Sequence, residues 1–189
     1  MRRFLALSVL LPLAFAAACS DATSLSPPTQ TNVVDTVTIG ALEGTPITTP
    51  SGFSLSLSSV AAVRTDQSVD FEFAYNVRRL EDGTYQRVFL PRAALGLSTT
   101  TANPGLQARN ETFDGITRAP SNGYTADSAV AIDVGQRYVV RSRVVCTALG
   151  VPLYGKLEIL SFQDSTVKFK LLADRNCGYK DLLPGLPAK

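Results

Sequence analysis

The chain has 189 residues, of which 18 are basic, 16 are acidic and none is histidine. This length suffices for one ordinary domain. The lack of histidine excludes the usual general base, the usual haem ligand and the commonest zinc ligand. The two surplus positive charges are Arg2 and Arg3, and without them the chain carries 16 residues of each sign. A formally neutral domain does not attract phosphate over a long range, so we do not expect nucleic-acid binding.

Residues 1–18 have the pattern of a secretory signal peptide. Two arginines are followed by an apolar run that starts at Phe4, and then by the small residues Ala14 to Ala18. The run is about 15 residues long, shorter than the roughly 20 that cross a bilayer as a helix. We therefore predict that residues 1–18 are removed and do not contribute to the fold.

Cys19 follows three alanines, an arrangement that resembles the bacterial lipobox, in which a cysteine is acylated and becomes the mature N-terminus. The leucine usual three residues before the cysteine is replaced here by Ala16. The alternative is ordinary cleavage after Ala18, which would release a secreted protein. Because the chain has three cysteines and exported proteins seldom keep an odd free thiol, we predict lipidation of Cys19. The following residue, Ser20 rather than Asp, favours the outer membrane.

The segment after Cys19 reads SDATSLSPPTQTNVVDT and is rich in Ser, Thr, Asp and Pro. Such a composition has little to bury and tends to remain extended. We therefore predict that residues 19–36 form a lipidated flexible tether. The remaining residues, 37–189, are predicted to form a single domain.

The first half of this domain is predicted to consist of short strands. Apolar and polar residues alternate, which indicates sheets with one buried face. Asp82-Gly83 favours a tight hairpin in which both central residues have positive φ. The predicted strands are Thr36–Ile39, Phe53–Leu57, Val69–Val77 and Tyr85–Leu90.

After Pro91 the periodicity is lost, and we expect loops and turns from Arg92 to Asn110. Asn110 is a possible helix cap, and Phe113 and Ile116 would lie on one side of a helix. One short helix is therefore predicted near Phe113–Ile116, ending before Pro120.

Val134 to Cys177 is predicted to form a three-stranded antiparallel sheet. In the first strand, Tyr138, Val140 and Val144 should face the core, with Arg141 and Arg143 on the other face. In the hairpin that follows, Leu157, Ile159 and Ser161 should pair with Leu171, Phe169 and Val167, because a shift by one residue would expose every apolar group. Lys156, Glu158, Lys168 and Lys170 should then face water, and Glu158 should lie opposite Lys170.

Cys146 and Cys177 bracket this sheet and are the two cysteines left after Cys19. Export favours a disulfide between them, whereas two free buried thiols would be the alternative in a cytosolic protein. Closing a loop of about 30 residues would stabilise the fold by roughly 3 to 4 kcal/mol.

Catalytic and metal-binding patterns are lacking, so we expect neither an enzyme nor a resident cofactor. Asp174, Asn176 and Asp181 could offer oxygen ligands to a cation, but their spacing is not that of a calcium loop, and a turn is the simpler interpretation. No nucleophile elbow, phosphate loop or Ser-x-x-Lys pattern occurs. The candidate binding residues are those that combine apolar area with polar groups on the predicted sheet, although packing would also explain them. They are Tyr138, Arg141, Arg143 and Tyr154.

Four motifs together resemble the HmuY-like group of bacterial lipoproteins. They are FDGITRAP followed by GY in residues 113–124, GQRYVVRSR in 135–143, YGKLEIL in 154–160 and VKFKL in 167–171. VDFEFAYNV in 69–77 stands where that group carries a W-D-x-A-F strand, but it lacks the tryptophan. The resemblance implies an all-β fold anchored at the outer membrane and, for the best-known members, haem capture by a pair of histidines. This chain has no histidine, so no ligand residue carries over.

The sequence thus predicts an all-β domain, an antiparallel sandwich or open barrel with one short helix. The predicted protein is a non-enzymatic lipoprotein of the cell envelope, anchored in the outer membrane on its periplasmic or outer surface, with secretion as the alternative. An unknown protein or small molecule is its expected partner. The alternative function is that of an HmuY-like carrier of haem or another hydrophobic molecule without histidine ligation.

Overall fold

The computed structural model describes residues 25–97 and 103–188, which form a β sandwich. Its strands are β1 (Val34–Gly40), β2 (Gly52–Leu55), β3 (Val60–Val63), β4 (Phe73–Arg79), β5 (Tyr85–Pro91), β6 (Gly105–Arg109), β7 (Val130–Ala131), β8 (Arg137–Cys146), β9 (Val151–Gln163) and β10 (Thr166–Asp174). The first sheet has the order β1-β10-β9-β8-β6 and the second the order β3-β2-β4-β5-β7. All strand pairs within the two sheets are antiparallel. The predicted all-β antiparallel fold is confirmed, in its sandwich form.

Four phenylalanine rings fill the space between the sheets. Phe53, Phe73 and Phe89 come from the second sheet and Phe169 from the first, and all four are fully buried. Phe169 lies 5.6 to 6.2 Å from each of the other three, measured between ring centroids. Aromatic pairs at such distances contribute about 0.5 to 1.5 kcal/mol beyond their buried area. This cluster therefore holds the two sheets together.

The β9–β10 hairpin confirms most of the predicted register. Leu157 pairs with Leu171, Ile159 with Phe169 and Glu158 with Lys170. A bulge between Lys168 and Phe169 then shifts the pairing, so the predicted pair of Ser161 with Val167 is wrong and Val167 lies opposite Phe162. The extra residue on β9 brings the Phe162 ring to the core, where serine would leave a gap.

The predicted alternation in β8 is confirmed only for its first half. Tyr138 and Val140 face the core, but the register shifts between Arg141 and Val144. As a result Val145, and not the predicted Val144, packs against the core. The prediction that Arg141 and Arg143 share one exposed face is therefore wrong.

Two predictions in the middle of the chain are wrong. Residues 112–116 form a single turn and no helix: Ile116 N donates to Thr112 O at 3.1 Å, and the apolar side chains are buried against the sheet. A short 3₁₀ helix lies instead at Arg92–Leu95, and strand β6 follows at Gly105–Arg109. Both occur where loop was predicted. Among the described residues no helix combines the length and the apolar character needed to cross a bilayer.

The hairpin predicted at Asp82-Gly83 connects β4 to β5, but its turn differs from the prediction. Gly83 has a φ of +84°, whereas Asp82 is not among the residues with positive φ. Leu80 N donates to Thr84 O at 2.8 Å, so the loop is longer than the tight two-residue turn. The Asp82 carboxylate accepts from Thr84 N and Thr84 Oγ1, at 2.9 and 2.6 Å, and fixes this loop.

The predicted disulfide between Cys146 and Cys177 is confirmed. Their Cα atoms lie 5.8 Å apart and the two cysteines are separated by 31 positions in the chain. The bond joins the end of β8 to the segment that follows β10. It therefore holds residues 175–178 against the end of β8.

A cover segment, residues 112–125, lies over the outer face of the first sheet. Lys156 was predicted to face water, yet it is only 1% exposed because this segment covers it. Its Nζ donates to Ile116 O at 2.9 Å and lies 4.6 Å from the centre of the Phe113 ring. The apolar cluster beneath the cover consists of Phe113, Ile116, Ala119, Val139, Tyr154, Leu172 and Leu182, with Tyr124 beside it.

Candidate functional site

Residues 25–33, called the docked segment below, are bound to the sandwich. The sequence assigned residues 19–36 to a flexible tether, but β1 begins at Val34 and the residues before it are hydrogen-bonded. The Asn176 Oδ1 atom accepts from Thr29 N at 2.8 Å and from Gln30 N at 2.9 Å, and its Nδ2 atom donates to Gln30 O at 2.8 Å. Side-chain amide contacts thus replace the apolar burial that this segment lacks.

Asn32 continues the contact with the C-terminal part of the chain. Its backbone N donates to Gly185 O at 2.8 Å, and Gly185 N donates to Asn32 O at 3.0 Å. The buried Asn32 side chain donates from Nδ2 to Asp181 O and Leu183 O, at 3.1 and 3.2 Å. The docked segment is therefore paired with residues 176–185 over its second half.

Two of the three candidate cation ligands, Asp174 and Asn176, are hydrogen-bonded to each other. Asp174 Oδ1 accepts from Asn176 N at 2.9 Å and from Asn176 Nδ2 at 2.8 Å, so the carboxyl group orients the amide that holds the docked segment. Burial raises the pKa of Asp174, and its bonds with Asn176 act against that shift. The third predicted oxygen ligand, Asp181, accepts from Leu183 N at 3.1 Å. No group of three or more potential metal-binding side chains occurs among residues 25–97 and 103–188.

A cleft of about 700 Å³ opens beside the docked segment. Tyr179 donates its hydroxyl proton to Ser26 O at 3.1 Å, and Gly178, with a φ of +76°, leaves room for Leu25 where a larger residue would collide with it. The cleft is lined by Leu25, Thr117, Arg118, Gly178, Tyr179, Lys180, Asp181, Leu183 and Ala188. Its wall thus combines apolar and charged groups.

Arg118 is the distinctive charge of this cleft. It is exposed, and within the described part of the chain its guanidinium has no ion-pair or hydrogen-bond partner. Lys180 Nζ donates to Ser121 Oγ at 2.8 Å, and the Asp181 carboxylate is occupied by backbone N–H groups. Arg118 is therefore the lining cation that no other described side chain holds, and Arg118 and Lys180 against Asp181 leave the cleft with a net positive charge beside Leu25 and Leu183.

The four residues predicted to bind a partner are not brought together. Tyr138 is buried in the core, where its hydroxyl donates to Ala131 O at 2.7 Å and burial raises its pKa to about 12. The Arg143 side chain, from β8 of the first sheet, pairs with Glu72, which directly precedes β4 of the second sheet. Tyr138 and Arg143 therefore serve the packing of the fold, which was the alternative to partner binding.

Arg141 and Tyr154 do lie in one cluster, together with Tyr124 of the cover segment. The Arg141 guanidinium lies 4.7 Å from the centre of the Tyr124 ring, which is 6.4 Å from that of Tyr154. Burial raises the pKa of Tyr124, whose hydroxyl donates to Pro120 O at 2.8 Å. Lys180 Nζ lies 5.6 Å from the centre of the Tyr154 ring and connects the cluster to the cleft. Tyr154 is buried, whereas Tyr124 and Arg141 are half-buried, so the cluster adjoins the cleft through Lys180.

Sequence reasoning missed Arg118 and Lys180 as cleft residues. Both lie on irregular segments, where no hydrophobic period indicates which side chains meet. The cleft wall also depends on pairing between distant segments: Ala119 N donates to Lys180 O at 2.8 Å and Leu182 N donates to Thr117 O at 2.9 Å. The motif FDGITRAP, which contains Arg118, was the one feature of the sequence that could have indicated a cleft residue.

Glu72 is a buried carboxylate held at the junction of the two sheets. Glu72 Oε1 accepts from Arg143 Nη1 at 2.7 Å, and Oε2 accepts from Leu55 N at 2.5 Å. Burial raises its pKa to about 7, and the Arg143 charge opposes this shift. Asp70 lies 3.4 Å from Arg143 Nε and is largely exposed. The loss of hydration therefore affects the pKa of Glu72 more than the pairing with Arg143 does.

Comparison of the chain with protein-family models, with curated proteins and with solved structures returns no match. The resemblance to the HmuY-like group stays an expectation of the sequence.

The substitution Glu72→Gln should flatten the pH dependence of stability. Because the folded-state pKa of about 7 lies above the ordinary 4.5, the folded protein binds this proton more tightly than the unfolded chain does. The contribution of Glu72 to the free energy of unfolding should therefore be largest below pH 4.5 and decrease as the pH rises through 7, by up to about 3 kcal/mol. Urea unfolding at a series of pH values measures this decrease.

The matched control is Glu81→Gln, which removes an exposed carboxylate from the β4–β5 turn. It should keep the wild-type decrease between pH 5 and 8. A Glu72→Gln variant with the same pH dependence as the wild type would contradict the assignment.

Proposed function

We propose that this protein is a non-enzymatic, lipid-anchored component of the cell envelope that binds its ligand in the cleft beside the docked segment. The observation that carries the proposal is the partnerless Arg118 in a cleft of about 700 Å³ with Leu25 and Leu183 in its wall. A cation next to apolar surface suits a ligand with an anionic group and an apolar part. The ligand is thus expected to be an anionic amphiphile or a partner segment of that character.

The lipid anchor is proposed at Cys19, which lies outside the described residues. Its support is the run of small residues before it and its role as the odd cysteine once Cys146 and Cys177 are paired. Ser20 after the cysteine supports the outer membrane as the location. Secretion of an unanchored protein is the alternative.

Carriage of haem or another hydrophobic molecule, as in the HmuY-like group, is the second proposal. It is supported by the motifs quoted above. A carrier of that kind needs an apolar space for its ligand, and the region between the sheets is filled by the rings of Phe53, Phe73, Phe89 and Phe169. A hydrophobic ligand would therefore have to bind at the surface, so the cleft remains the favoured site.

The variant Cys19→Ala should separate anchoring from secretion. The wild type should sediment with salt-washed envelope membranes, whereas the variant should move to the soluble fraction because it lacks the acyl acceptor. Fractionation followed by immunodetection measures the distribution, and mass spectrometry of the N-terminal peptide identifies the lipid. A variant that still sediments with membranes as the wild type does would contradict acylation at Cys19.

The variant Arg118→Glu should weaken ligand binding because it makes the net charge of the cleft negative. Purified wild type and variant are compared after affinity capture from detergent-solubilised envelopes, with mass spectrometry of the bound proteins and small molecules. A ligand of the cleft should be enriched at least about tenfold by the wild type over Arg118→Glu, which corresponds to the loss of one charged contact.

The matched control is Arg79→Glu, an equal charge reversal at an exposed position near the β4–β5 turn. It should capture the same ligand as the wild type. Equal loss in both variants, or no difference between Arg118→Glu and the wild type, would contradict the cleft as the binding site.

A further inference from the structure

We infer that one end of the sandwich lies on the surface of the bilayer that holds the lipid anchor. This proximal end comprises the docked segment, the turns at residues 56–59 and 147–150, and residues 175–186. The inference rests on the proposed anchor at Cys19, and it adds the orientation of the domain and the nature of the surface that it contacts.

The proximal end is one connected surface. The Cys146–Cys177 disulfide joins the turn after β8 to the segment after β10. Arg175 donates from Nη1 to Ser58 O at 3.0 Å and from Nη2 to Gln30 Oε1 at 3.1 Å, so it joins the β2–β3 turn to the docked segment. The residues that carry the chain toward Cys19 are therefore fixed to this end of the sandwich.

The distance available to the anchor is short. Because the chain is docked from Leu25 onward, only six residue steps separate it from Cys19, and they span at most about 21 Å even when fully extended. A free tether through residue 36 would span almost three times as much. Strand β8 alone, with ten residues, is about 33 Å long. The linker is thus too short to bring the opposite end of the sandwich to the membrane.

The proximal end exposes large apolar side chains around the point where the chain leaves. Leu57 and Leu149 border a cleft of about 220 Å³ together with Ser26 and Pro27. Leu183 lines the larger cleft with Leu25, and Leu186 follows the residue that pairs with Asn32. Leu57, Leu149, Leu183 and Leu186 are all exposed.

The opposite, distal end of the sandwich contains the β1–β2, β4–β5 and β7–β8 connections. Exposure alone does not distinguish the two ends, because the distal end also exposes Ile47, Tyr85 and Val134. The proximal end differs in carrying the chain exit and a cationic cleft. Arg118 and Lys180 lie in that cleft beside leucines, and positive charge next to apolar side chains is the composition of surfaces that lie at the lipid headgroup level. The occupant of this surface is therefore the bilayer itself, whose phospholipids are anionic amphiphiles of the kind proposed for the Arg118 cleft.

Tryptophan fluorescence tests the inference, because the chain contains no tryptophan. Leu186→Trp places the probe at the proximal end and Val134→Trp places it at the distal end, at sites that are 60% and 61% exposed. The lipidated protein is reconstituted in vesicles of phosphatidylcholine and phosphatidylglycerol with brominated acyl chains, which quench only nearby tryptophan. Leu186→Trp should lose at least about half of its emission relative to unbrominated vesicles and shift to the blue, whereas Val134→Trp should change little.

The anchor and the orientation are tested separately. Mass spectrometry of the Cys19 peptide reports whether the native protein carries a lipid. If it does not, the proposed anchor is wrong, and the Cys19 thiol is then coupled to a maleimide phospholipid in the same vesicles; the other two cysteines are paired and do not react. Selective quenching of Leu186→Trp supports the orientation with either attachment. Equal quenching, or none, of the two probes contradicts it, whatever the fate of Cys19.

Discussion

The side-chain amide of Asn176 is the contact on which the placement of the N-terminal chain depends. It accepts from two successive backbone N–H groups and donates to the carbonyl of the second residue, so one side chain fixes Thr29 and Gln30 in register. The amide is itself oriented by the buried Asp174 carboxyl, and its backbone is held by the disulfide at the next residue. Because residues 25–33 bury few apolar groups, these bonds, together with the pairing of Asn32 with Gly185, are what hold the segment.

The closed core and the docked segment together determine where binding can occur. Aromatic rings fill the space between the sheets, and the cover segment buries the part of the outer face of the first sheet that contains Lys156. The cleft of about 700 Å³ lies where the docked segment, the cover segment and the C-terminal residues meet. Leu25, from which the chain leads back to Cys19, and the proposed ligand cleft therefore lie at the same end of the described domain.

Much of the fold could be predicted from the sequence because it depends on local patterns. Alternation of apolar residues predicted the β9–β10 hairpin, and cysteine parity predicted the disulfide. Bulges such as the one before Phe169 are not visible in a period of two, and this is why Arg141 and Arg143 were placed on one face. The docking of Thr29 onto Asn176 spans 147 positions and uses polar groups, so composition alone indicated a free tether.

Hydrogen exchange at the backbone amides of Thr29 and Gln30 is the most direct measurement of the central claim. In the wild type these amides should be protected, because both donate to Asn176 Oδ1. In Asn176→Ala they should exchange at close to the rate of an unstructured chain, while the control Asn110→Ala, at an exposed position outside this contact, should keep the protection. Rapid exchange of both amides in the wild type would show that residues 25–33 are a free tether and would contradict the account.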